Sequence, residues 1–440
     1  MRLSRLRTWL LLCIAPMLFW PLSGNAGTTR GMNVAAIDTG NRRAERVLFA
    51  FDGTDGAAPN SELIADSSGA FYGVTGDGGT TGNGAVFELT PPPPGRRAWA
   101  ERVLYSFTGG SDGIGPSGRL LANAAGTLFG TTLEGGANCF CGTVFALTPP
   151  APGRTKWTEQ VLHGFGAPGD GTNPQGGLVA DAAGSLYGTT MNGGDNGFGS
   201  VFELSPPAPG KTAWTEQLIY SFANAPSDGA IPEGGLIFDA GGALYGTTAS
   251  GQGTVFRLTP PGPGKTAWTE TVLHFFSGRD GNSPAGRLLM NASGVLFGTT
   301  TLGGVPNGYG NGVAFALAPP PPGQTVWSET VLAIFQKHRE GSDPAAGLIA
   351  GADGSLYGTT VGGGSVGAGT VFRLVPPGPG RSFWRKLDLY VFGGGADGNA
   401  PLAGLIAGAN GALYGTTSRG GLTHQGASND GVVFELDPAP

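Results

Sequence analysis

Short runs of alternating apolar and polar residues recur along nearly the whole chain, each closed by Gly, Pro, Asp or Asn. One copy shows the form: Gly177 to Ala182, Ser185 to Thr190 and Ser200 to Ser205, preceded by Trp157 to Phe165 from the copy before. Two-residue alternation over roughly 4–8 residues, rich in Val, Thr, Tyr and Phe and bounded by turn formers, predicts β-strands. No stretch carries a convincing helical period. The expected fold class is therefore all-β.

The runs belong to a repeat. The phrase Leu-Tyr-Gly-Thr-Thr places its aromatic at Tyr72, Phe129, Tyr187, Tyr245, Phe297, Tyr357 and Tyr414, at intervals of 57, 58, 58, 52, 60 and 57 residues. A second marker, Trp99, Trp157, Trp214, Trp268, Trp327 and Trp384, is followed eight residues later by Phe at 107, 165, 222, 276, 335 and 392. Four short strands per unit, seven times, predict a seven-bladed β-propeller. The last copy ends after its third strand. The missing strand stands at the front, where Ala44 to Phe51 matches the fourth-strand pattern, with Arg43 at the Trp position. The N-terminal strand is expected to complete the last blade and close the ring.

The Tyr-Gly-Thr-Thr, Gly-Gly and Val-Phe-x-Leu phrases, over about residues 44 to 440, resemble the GloVer choice-of-anchor tandem-repeat family of secreted bacterial proteins. The resemblance implies export from a bacterial cell. Relatives often carry a C-terminal surface-sorting segment, which this sequence does not display. The family has no established activity, so the resemblance supplies no catalytic residue.

The first 26 residues read as a secretory signal peptide. Arg2, Arg5 and Arg7 form a basic start, an apolar run follows from Trp9 to Leu22, and Gly24-Asn25-Ala26 offers a small-residue cleavage site. Pro16 and Pro21 interrupt a run already shorter than the ~20 residues of a spanning helix. Residues 27–43 are read as a linker and 44–440 as the propeller. The address is secreted, periplasmic or cell envelope.

Composition sharpens this only in part. The 83 Gly and 34 Pro among 440 residues would suggest low complexity, but 24 Phe, 9 Tyr and 8 Trp supply a core, and the Gly recur at the long period. The formal charge is −6, and loss of the three leader arginines leaves −9. With no run of Lys or Arg, neither nucleic acid nor an anionic membrane is expected as partner. Cys139 and Cys141, one residue apart, allow a local bridge and no distant staple.

The candidate chemistry is sparse. The loop between the fourth strand and the next copy carries Asp-Gly at Asp112, Asp170, Asp228, Asp280 and Asp397, with Asp55 in a related phrase. Turn chemistry explains it; a calcium-stabilised ring is the other reading, and no further cofactor and no metal site is expected. The four His include no ligand pair: His163 and His274 stand in a column otherwise filled by Tyr105, Tyr220, Tyr390 and Phe49. The recurring Glu45, Glu101, Glu159, Glu216, Glu270 and Glu329, replaced once by Lys386, read as edge-strand charges that oppose aggregation. The loops between second and third strands vary most, so ligand contacts are expected there. The candidates are Asn138, Phe140, Asn307, Tyr309, Asn311, His424 and Asn429. A non-catalytic binding or scaffold module, monomeric, taking a carbohydrate or protein ligand, is the leading expectation. The alternative is an enzyme acting on an extracellular polysaccharide or other polymer.

Overall fold

The computed structural model describes residues 45–437 except 226, 307–309, 337–340, 424–425 and 428. The segments expected from the sequence as signal peptide (1–26) and linker (27–43) therefore lie outside the described residues. Seven antiparallel sheets follow one another around a ring, and no helix occurs among the described residues. Blade three shows the plan, with strands a to d running outward from the axis: Val179–Ala180, Leu186–Thr190, Ser200–Ser205 and Thr215–Ser221. In blade one, strand a is split into Ala57–Pro59 and Ile64–Ala65.

The closure expected from the sequence is present. The seventh sheet orders Ile406–Ala407, Leu413–Thr417 and Val432–Leu436, then Glu45–Ala50 as its outer strand. Glu45 pairs with Leu436 and Ala50 with Val432. Every blade thus has its fourth strand, although the last one borrows it from the start of the chain.

The repeated phrases are explained by packing between blades. Strand c is buried on both faces: Val255, Phe256 and Leu258 are fully covered, as are their counterparts in other copies. The Phe ending strand d of one blade meets the strand-c Phe of the next, edge to face, with centroids 5.1 Å apart for Phe51–Phe87 and 5.2 Å for Phe222–Phe256. Such pairs add about 0.5–1.5 kcal/mol beyond area burial, and the pattern recurs at all seven junctions. The Gly of Tyr-Gly-Thr-Thr makes room for that ring. A Cβ on Gly246 would sit 2.6 Å from Phe256 Cζ and 3.0 Å from Leu236 Cδ2.

The two threonines divide their work. Thr359 donates its hydroxyl across the junction to the Ala403 carbonyl at 2.9 Å. Thr360 bonds Thr370 of its own strand c at 2.9 Å. Both are buried. They serve as strand formers with satisfied hydroxyls, in line with the sequence reading.

A β-bulge interrupts every c–d pairing, as between Val201 and Phe202 opposite Tyr220 and Leu218. The skipped residue, Ile219 here, is buried. A bulge bends the strand and redirects the next side chain. That side chain is Tyr105, His163, Tyr220, His274, Tyr390 or Phe49 of the aromatic column, and Ala333 in blade five.

Candidate functional site

The d–a and b–c loops share one face. Gly171–Thr172 of a d–a loop pairs with Asn192–Gly193 of a b–c loop. The residue before each d–a proline holds a positive φ and donates its amide to the b–c loop of the preceding blade: Asn173 to the Cys141 carbonyl at 2.7 Å, Ile231 to Phe198 at 2.9 Å, Asp343 to Asn311 at 2.9 Å. The b–c loops are therefore anchored at their bases to the neighbouring blade. The opposite face carries the Pro-rich c–d tips, each closed by a turn such as Lys265 N–H to Gly262 O at 3.0 Å. Those tips also expose Arg96, Arg154, Lys211, Lys265 and Arg381. The absence of a basic run in the sequence thus does not carry over to space.

The predicted loop residues fare unequally. Asn307, Tyr309 and His424 lie outside the described residues. Asn138 is exposed and donates to the Gly164 carbonyl at 2.9 Å. Asn311 uses its carbonyl in the interblade bond above. Asn429 accepts the Gly420 amide at 3.1 Å. These three residues stand on blades two, five and seven and hold the loops in place. Phe140 differs. It is 63% exposed, holds a φ of 58°, and lies between Cys139 and Cys141, which are joined by a disulfide. The structure thus holds an apolar ring outward on a clamped loop.

The turn aspartates act as the sequence suggested. Asp112 accepts from the Thr108 amide at 2.7 Å, the Thr108 hydroxyl at 2.7 Å and the Tyr105 hydroxyl at 2.9 Å. Asp397 accepts from Tyr390 at 3.0 Å. His163 and His274 replace Tyr in the same contact, at 2.9 Å from Asp170 and 3.0 Å from Asp280.

The strand-d glutamates require a correction. They are not solvated edge charges. Each of Glu45, Glu101, Glu159, Glu216, Glu270 and Glu329 is half-buried, and its Oε1 is covered with no hydrogen-bond partner among the described residues. Each faces the turn Asp of the preceding junction. Burial first, and the Asp112 charge second, push the Glu159 carboxyl up to about 7. Burial with Asp55 and Asp52 pushes Glu101 to about 8, and burial with Asp397 pushes Glu45 to about 7. Glu270 and Glu329 reach about 7 beside Asp228 and Asp280. Glu216 is raised by burial and by Asp170. The edge-strand reading missed this because it treats the outer strand as open, whereas these carboxyls are half-buried and feel the charge of a turn Asp from the preceding junction. Where Lys386 replaces the Glu, its ammonium meets Asp388 at 2.5 Å and the Phe335 ring at 5.5 Å.

One junction gathers three donor atoms, from His163, Asp170 and Glu216, within 4.8 Å. This grouping could hold a cation by donor chemistry. Its recurrence with Tyr105, Tyr220 and Tyr390 in place of the imidazole favours a structural role instead.

The feature the sequence reading passed over sits at the axis. The residue before the strand-a Leu is Glu62, Arg119, Gly177, Gly235, Arg287, Gly347 and Gly404 in successive copies. Glu62 Oε2 lies 3.7 Å from Arg119 Nε and 3.5 Å from Arg287 Nη2. Residues from blades one, two and five can meet only at the centre. Burial lowers the Arg119 guanidinium from its ordinary value and the nearby Arg287 charge adds to this, while Glu62 offsets part. Comparing the seven copies column by column would have found this: a Gly column with three charged exceptions.

Two open hollows lie elsewhere, between neighbouring a–b turns. One is lined by Phe238, Asp239, Met290 and Asn291, the other by Asn123, Asp181, Pro206 and Trp214. Neither gathers the polar groups named above.

The geometry defines a seven-bladed propeller repeat protein with one loop-built face and a charged axis. The chain belongs to the Gloeobacter/Verrucomicrobia repeat family, whose model matches residues 25–252 and 248–440. That agrees with the resemblance read from its phrases. No curated protein matches the chain. Among solved structures it is similar to a putative oxidoreductase (glucose dehydrogenase) of Thermus thermophilus, at 19% identity and a TM-score of 0.40, covering 73% of this chain and 96% of that one. A putative 6-phosphogluconolactonase of Bacteroides uniformis is similar at 13% identity and 0.47, covering 75% and 85%. Scores at this level carry no argument about activity.

Proposed function

We propose that the protein is an exported, non-catalytic binding module whose b–c and d–a loop face takes a carbohydrate or peptide ligand outside the cell or in its envelope. The observation that carries this reading is Phe140, an exposed aromatic ring on a disulfide-closed, hydrogen-bonded loop. A ring held in place before binding loses little conformational entropy when it meets a ligand. The near identity of the other blade contacts supports a scaffold role for the rest of the ring. Export rests on the leader pattern of residues 1–26. Among the described residues no helix is long and apolar enough to cross a membrane.

An enzyme acting on an extracellular polymer is the alternative, favoured by the break in symmetry at the axis. Release of new chain ends from a bound polysaccharide would decide for it.

A glycan and peptide array, probed with the exported protein with and without calcium, tests the binding reading. The expected result is a reproducible hit that Phe140→Ala weakens at least tenfold. A hit untouched by Phe140→Ala and by shortening of the 418–431 loop would refute the placement. Silence across the array would refute the ligand classes.

A further inference from the structure

The axial charges are unbalanced. Two guanidinium groups share one carboxylate, so the cluster keeps one positive charge in excess. The contacts are also loose. Charge-assisted N–H to O bonds run at about 2.7–2.9 Å, whereas Glu62 lies 3.7 Å and 3.5 Å from its partners. The Nε atoms of Arg119 and Arg287 are both covered and have no hydrogen-bond acceptor among the described residues. A buried N–H left unmet is costly, and such groups are normally satisfied by protein, water or ligand.

Glu62 also lies against a third blade. A Cβ on Gly404 would sit 2.7 Å from its Oε1, so the carboxylate is already seated against blade seven. The arginines differ from it in access. Their side chains keep 38% and 34% of their surface exposed, against 14% for Glu62. The cations are thus the reachable members. Arg287 stands just before strand a of blade five (Leu289–Met290), on its d–a side, and Arg119 lies within the longer strand a of blade two (Ile114–Ala122).

We infer that Arg119 and Arg287, with Glu62 as resident counter-charge, form an axial binding site for a single carboxylate group, as carried by a uronic-acid sugar. The guanidinium fork matches a carboxylate in plane and can bond it with two parallel N–H groups. One negative charge neutralises the excess. A phosphate dianion would overshoot it and meet Glu62 uncompensated. The repulsion between the two arginines, which after burial lowers the Arg119 pKa, would be relieved by the ligand. The site is separate from the Phe140 loop and stands or falls without it.

Calorimetric titration of the exported protein with glucuronate, glucose and inorganic phosphate tests the inference. Glucuronate should bind saturably, glucose should not, and phosphate should bind more weakly. Arg119→Gln and Arg287→Gln should each weaken glucuronate at least tenfold. Glu62→Gln should tighten it several-fold, because it removes the competing carboxylate. A purely structural plug predicts no tightening. Absence of glucuronate binding in both the unaltered protein and Glu62→Gln would overturn the site. So would binding that survives both arginine replacements, or a preference for phosphate. A melting scan of each variant shows whether it folds; should the arginine variants fail, the Glu62→Gln comparison decides alone.

Discussion

Raising the pH from 5 to 8 should loosen the ring, because five junction glutamates are raised well above the ordinary Glu value and release their protons only in that range. The folded values are about 7 for Glu45, Glu159, Glu270 and Glu329, and about 8 for Glu101, against 4.5 for an ordinary Glu. The sign follows from proton counting. Between pH 4.5 and 7 the unfolded chain has released protons that the folded ring still binds. Stability is therefore full below about 4.5 and falls as pH rises through 7. A shift of ~2.5 pH units would convert to ~3.4 kcal/mol per group without screening. These carboxyls are only half-buried, and solvent screening reduces the figure to ~1 kcal/mol each. Five groups then give on the order of 5 kcal/mol, or a fall of ~6 °C in melting midpoint for a ring of this size. Asp55, raised to about 6, adds to the same trend. Asp112, whose pKa is lowered, acts in the opposite sense and only at pH below its ordinary 3.8. Circular-dichroism melts from pH 4.5 to 8.5 would show the slope. Glu→Gln at the five positions should flatten it and raise the midpoint at pH 8. A midpoint that stays level or rises between pH 5 and 8 would refute the carboxyl-pair account.

Three further outcomes follow from the packing. Gly246→Ala should destabilise by about 1–3 kcal/mol through overpacking against Phe256, read as an earlier urea midpoint with an unchanged slope. Ile231 holds a φ of 59°, which a β-branched residue tolerates poorly; Ile231→Asn should gain about 1 kcal/mol, and a loss would show that the side chain packs usefully. Deleting residues up to Phe51 removes the outer strand of blade seven and the Phe51–Phe87 contact; the ring should fail to fold cooperatively, and an unaltered melt would contradict closure by the N-terminal strand.

The architecture was legible because each blade repeats a local rule. Two-residue alternation marked the strands, and the spare strand pattern at Ala44 to Phe51 matched the gap after Leu436. The turn role of the aspartates was legible for the same reason. The glutamates were misread because their burial and their repulsion by a turn Asp arise only in the folded ring, between residues some 47 apart such as Asp112 and Glu159. The axial cluster was harder still. Glu62 meets Arg119 and Arg287 only after the ring closes, so no local window contains the site. Phe140 was legible as a loop aromatic, but its exposure and fixed conformation needed the structure. Asn138 and Asn429 through their side chains, and Asn311 through its backbone carbonyl, make bonds that hold the loops, which only the structure shows.

The central claim is that ligand is taken on the loop face that presents Phe140. Hydrogen exchange of the protein, with and without the tightest array ligand, tests it most directly. The account expects new protection in the b–c loop around Asn138 to Cys141 and in the d–a loop it touches at Asn173. Protection confined to the Pro-rich c–d tips of the opposite face, such as Pro260 to Gly264, would contradict it.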